Sequence, residues 1–82
     1  MDRTVEEKMM EFMRPMFGDM ARKTIETQKE KLGITKGELS YEQYLKVVES
    51  IRMLSLKMAG PGIAENIRKG LLKILDDERA NG

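Results

Sequence analysis

Two stretches of helix-period apolar residues, separated by Gly60-Pro61-Gly62, constrain this chain more than any other feature of it. Before the triplet, Tyr44, Val47, Val48, Ile51, Leu54 and Met58 recur at short helical steps. After it, Ile63, Ile67, Leu71, Ile74 and Leu75 do the same. Glycine tolerates positive φ and proline sets its own, so the triplet permits a tight reversal. The spacing predicts an antiparallel helical pair over 41–59 and 63–78. Ser40 and Gln43 have capping-box spacing at the start of this pair. Leu45, Met53 and Leu56 lie off the main stripe, which predicts that the helix over 41–59 is the most buried.

Upstream, Thr4 and Glu7 repeat the capping-box spacing. Val5, Met9, Phe12, Met13 and Met16 follow as a stripe that continues through Met20, Thr24, Ile25, Gln28 and Leu32 to Gly33. Pro15 has no N–H to donate and pushes its predecessor out of helical geometry. Helices are therefore predicted over 5–14 and 16–32, with Gly18 as a second break and Asp19 as a new N-cap. A single kinked helix fits the same pattern. Gly33 to Leu39 predicts a loop, and the polar stretch from Asp76 to Gly82 predicts a fraying end. Gly70 lies beside the last apolar stripe, where it costs about 1 kcal/mol against alanine, so a close approach of two backbones is expected there.

No segment alternates apolar and polar residues for long enough to be a strand. The fold class is all-α: a small, irregular four-helix domain over 1–82, with helices three and four as an antiparallel hairpin. Up-down bundle and helix-turn-helix arrangements both remain open. A domain of 82 residues hides only about 60% of the surface its unfolded chain exposes, so a partner is expected.

The chain has neither cysteine nor histidine. That removes disulfides, thiolate nucleophiles, the usual zinc sets and the commonest general base. Asp19, Ser40, Tyr41, Tyr44 and scattered Lys and Glu remain, with Ser40 used as a cap and no distinct carboxylate pair. No enzymatic activity, cofactor or metal site is expected. The apolar runs are far shorter than a membrane span, and the start Met1-Asp2-Arg3-Thr4-Val5 lacks the pattern of a signal peptide, so the expected location is cytoplasmic.

Methionines are the least ordinary feature, five of them falling between Met9 and Met20. Thioethers are soft ligands, but with no cysteine or histidine beside them a Cu(I) site is a poor fit. An apolar stripe at helical spacing is first a way to bury a helix, and a flexible thioether face also suits an adaptable partner surface. The functional expectation is a helical protein–protein interaction or regulatory module. It presents Met9, Phe12, Met13, Met16 and Met20 to a partner or to a second copy as a homodimer.

The alternative is weak nucleic-acid binding. With 15 Lys+Arg against 14 Asp+Glu the net charge is +1, so any basic patch is local. Arg22, Lys23, Arg68, Lys69 and Lys73 supply one if the fold gathers them, although nearby acidic residues also allow pairing along each helix. The segment Gly60-Pro61-Gly62-Ile63-Ala64-Glu65-Asn66-Ile67 resembles the hairpin of helix-hairpin-helix DNA-binding modules, a likeness covering eight of 82 residues. The resemblance implies backbone N–H groups facing a phosphate. Pro61 departs from the motif by removing an N–H, and Asn66 stands where it has alanine. A plain helical turn accounts for the segment equally well.

Overall fold

The computed structural model describes residues 3–34 and 39–81. It is all-helical over those residues: α1 Arg3–Phe17, a 3₁₀ turn Gly18–Met20, α2 Ala21–Lys31, α3 Tyr41–Ala59 and α4 Pro61–Asn81. Because the turn joins α1 to α2 without a loop, the uninterrupted helical stretches are three, 3–31, 41–59 and 61–81, where four separate helices were expected. No helix among the described residues is long and apolar enough to cross a membrane.

The N-terminal boundaries differ from expectation for physical reasons. Helix α1 passes through Pro15 and ends at Phe17, not at residue 14. Pro15 leaves the Glu11 carbonyl without its helical donor, but both residues are exposed, so water can serve that carbonyl. The break falls at Gly18, whose φ of +59° suits glycine and few other residues. Asp19 does not cap α2; Met20 occupies the N-cap without a side-chain hydrogen bond. Thr4 lies inside α1, which begins at Arg3, so the Thr4–Glu7 spacing does not mark the helix start.

Helix α2 ends in a Schellman motif. The Ile34 N–H donates to the Lys29 carbonyl (2.9 Å) and the Gly33 N–H to that of Glu30 (3.0 Å), with Gly33 at φ +75°. Of the loop expected over 33–39, residues 35–38 lie outside the described residues, and Leu39 is a core residue. Helix α3 opens as expected, with both halves of the capping box formed. The Gln43 N–H donates to Ser40 Oγ (3.2 Å) and the Ser40 N–H to Gln43 Oε1 (2.8 Å). Gly60 alone joins α3 to α4 at φ +90°, and Pro61 is the first residue of α4, where its missing N–H would be unpaired in any case.

Helix α1 packs against α2 and α4, while α3 packs against α4 and, less extensively, against α2. Pairs across the diagonals, α1 with α3 and α2 with α4, have no close backbone approach. The chain thus closes a four-sided ring with α3 and α4 as its most extensive contact. Glu6 near the start of α1 pairs with Lys29 near the end of α2 (2.7 Å), so these two segments double back on one another. Lys8 pairs with Glu78, which runs α4 antiparallel to α1. The arrangement is a compact up-and-down ring rather than an isolated helix-turn-helix.

The core draws on every helix, with Met9 and Met13 from α1, Ile25 from α2, Tyr44, Val47, Val48 and Ile51 from α3, and Leu71 and Leu75 from α4. Ser55 is wholly buried on α3 and its Oγ has no hydrogen-bond partner among the described residues. Gly70 admits the Phe12 ring from α1 rather than another backbone, and a Cβ at position 70 would fall inside that ring. Helix α4 continues past Asp76, where a fraying end was expected. Tyr41 Oη donates to Asp76 Oδ1 (2.7 Å), the Arg79 guanidinium lies 4.6 Å from the centre of the Tyr41 ring, and α4 stays helical to Asn81.

Candidate interaction surface

The five residues expected to form one partner-binding face do not share a common fate. Met9 and Met13 are fully buried and so belong to the core, which corrects their reading as contact residues. Periodicity showed the apolar side of α1, and α2 and α4 cover it. Met16 is partly buried against the same core, and Phe12 is occupied at Gly70 although its outer edge remains exposed. Only Met20, at the 3₁₀ turn, is open to solvent over half its surface.

The basic residues also fail to form one surface by packing. Arg22 and Lys23 are exposed on α2, whereas Arg68, Lys69 and Lys73 lie on α4, whose backbone does not come close to that of α2. Two of the α4 cations are already paired. Arg68 Nε donates to both carboxylate oxygens of Glu65 (3.1 Å each), and Lys73 stands 3.8 Å from Asp77. Arg52 Nε donates to Glu49 Oε1 on α3 (3.0 Å). The hydrogen bonds from Arg52 and Arg68 are the main causes holding the carboxyls of Glu49 and Glu65, respectively, below the ordinary glutamate range.

An open cleft of about 430 Å³ lies between the end of α2 and the outer face of α3. Leu32, Met53 and Leu54 supply its apolar surface, and Lys31, Lys46 and Lys57 stand around it. Lys46, Ser50, Met53 and Lys57 fall at i, i+4, i+7 and i+11, a single stripe along α3. Glu49 also lines the cleft, but its carboxylate is engaged by Arg52. Lys31, Lys46 and Lys57 have no carboxylate partner among the described residues. A roomier recess of about 540 Å³ between α1 and α2 is lined by Glu7, Lys8, Met10, Glu11, Arg14 and Arg22, so Met10 is the one apolar residue among the described residues that line it.

Beyond the cleft, Leu56, Met58 and Ile63 are also exposed. Met58 and Ile63 continue the apolar stripes of α3 and α4 past the point where the other segments cover them. Met53 and Leu56, whose place off the main stripe led to the expectation of the most buried helix, are exposed instead; they sit on the side a surface helix normally gives to polar residues, and that was the signal for this surface.

Among the described residues, no three acidic side chains are gathered closely enough to hold a metal ion. Comparison with family models, with curated proteins and with solved structures found no match.

Proposed function

We propose that the chain is a small helical protein-interaction module that holds a partner on the outer face of α3. The observation that carries this reading is a closed core with large apolar side chains left outside it, five of which follow α3 and its flanks: Leu32, Met53, Leu56, Met58 and Ile63. Scattered exposed apolar residues are ordinary, but Met53 and Leu56 stand three residues apart on the outer face of one helix beside a cleft, the usual form of a contact surface. The reading assigns no catalytic activity and no cofactor.

Self-association through this face is the less favoured form of the proposal. A two-fold contact would bring copies of one stripe together and set Lys46 and Lys57 near the lysines of the other copy across an apolar seam. A different protein supplies a complementary surface without that repulsion.

Selection from a phage-displayed library of helical peptides tests the reading. Peptides recovered on the native protein are expected to lose binding to a variant carrying Met53→Lys and Leu56→Lys while its circular dichroism spectrum is preserved. Failure to recover any binder, or equal binding to the variant, would contradict it.

A further inference from the structure

We propose that the α2/α3 cleft accepts a short amphipathic helix bearing acidic residues at both ends of an apolar stripe; this rests on the interaction-module reading above. The first ground is charge. Among the described residues, six carboxylates are taken up in ion pairs, including Glu6 with Lys29, Glu49 with Arg52 and Glu65 with Arg68. Among the described residues several cations form no ion pair, Arg22, Lys23 and Lys69 included, but Lys31, Lys46 and Lys57 are the ones that line a single cleft. Glu49, the acidic residue among the described residues that line the cleft, is held by Arg52 and adds little negative potential. An apolar floor with unneutralised cations at its edges is complementary to an apolar stripe flanked by carboxylates.

The second ground is length. Lys46 and Lys57 stand at the two ends of one stripe, eleven residues apart, which is about 16 Å at 1.5 Å per residue. That distance matches three turns of a partner helix. Its apolar residues at i, i+4 and i+7 would lie over Met53, Leu54 and Leu32, and acidic residues before and after them would reach the lysines. The cleft's openness favours a helix laid along it over a small amphiphile, because small ligands are held in pockets that enclose most of their surface.

The test uses the intact protein and two synthetic helical peptides of about eleven residues, a span that follows from the helical rise. They share leucines at i, i+4 and i+7, one carrying glutamates at its ends and the other lysines at the same positions. Binding is followed by fluorescence anisotropy and located by amide chemical-shift changes. The acidic peptide is expected to bind at least about tenfold more tightly than the basic one, a preference that scales with the charge pairs formed. Shifts should map to residues 28–32 and 46–57. Lys46→Glu with Lys57→Glu should reverse the preference, and because both side chains are exposed the variant is expected to stay folded.

Equal binding of the two peptides would overturn the charge argument while leaving an apolar contact surface standing. Acidic-peptide shifts confined to Met20, Met58 and Ile63 would overturn the cleft as the site and likewise leave the module reading intact. Binding of neither peptide at millimolar concentration would overturn the proposal. So would a single-stranded oligonucleotide that displaces the acidic peptide from these lysines at physiological salt, in which case phosphate is their ligand.

Discussion

The α1/α2 and α3/α4 halves are both helical pairs that double back, yet they are held by different means. In α3/α4 the signals are local and mutually consistent: a complete capping box at Ser40, a one-residue joint at Gly60, proline placed where its missing N–H costs nothing, and Tyr41 engaged by Asp76 and Arg79 at the far end. In α1/α2 a proline lies inside a helix, neither the 3₁₀ turn nor α2 has a side-chain cap, and α2 buries Thr24 and Gln28 beside Ala21 and Ile25. The difference teaches that α3/α4 is fixed largely by local signals, whereas α1/α2 depends more on its packing against the rest of the chain. The candidate cleft lies where the two halves meet.

The sharpest way to break this comparison is to open a cavity in α3/α4. Leu71 is fully buried on α4, and Leu71→Ala is expected to cost about 2–5 kcal/mol, lowering the melting temperature by roughly 10–30 °C. A loss below about 1 kcal/mol in denaturant titration would show that α4 is not central. Next in size is Pro15→Ala, which restores the missing helical hydrogen bond in α1. It is expected to raise stability, by up to about 3 kcal/mol, and a destabilised variant would mean that the proline fixes the approach to the Gly18 turn.

The contact between halves at Gly70 gives a change of sign. Gly70→Ala improves helix propensity but displaces the Phe12 ring, so in the native background it is expected to be neutral or destabilising. In a Phe12→Ala background the clash is gone, and the same substitution is expected to stabilise by about 1 kcal/mol. Chemical denaturation of the four proteins of the cycle measures this directly. No change of sign would mean that the ring moves aside freely.

The smallest effect belongs to the charge pairs along α3 and α4. The carboxyls of Glu49 and Glu65 titrate below the ordinary value of 4.5, so their pairs contribute stability that is complete above that value and lost as pH falls through the lowered ones. Glu49 is exposed and Glu65 is half-exposed, so the loss is expected to be slight and reduced further by salt. Glu49→Gln with Glu65→Gln should flatten the acid limb of a stability–pH curve without shifting the neutral plateau by much.

Much of α3/α4 was legible in the sequence because its determinants lie within a few residues of one another, as Ser40 with Gln43 and Gly60 with Pro61 do. What was illegible depended on distant partners. The cost of Pro15 turns on whether the Glu11 carbonyl faces water, and the order of the last helical turns turns on Tyr41 and Lys8, 35 and 70 residues from the groups they engage. The candidate site was misplaced for a related reason. Periodicity shows which side of α1 is apolar, but not that neighbouring helices cover Met9 and Met13. The informative residues were Met53 and Leu56, which break the pattern of α3.

The most direct measurement compares the same chemical change on the two surfaces. Thermal unfolding, followed by circular dichroism, is recorded for a variant with Met53→Lys and Leu56→Lys and for one with Met9→Lys and Met13→Lys. The α3 variant is expected to keep its helicity and melt within a few degrees of the parent, because its lysines enter water. The α1 variant is expected to lose the cooperative transition, because two unpaired charges are forced into the core. If the α3 variant unfolds while the α1 variant stays folded, then the exposed face of α3 is structural, the methionines of α1 are the free surface, and the account is wrong.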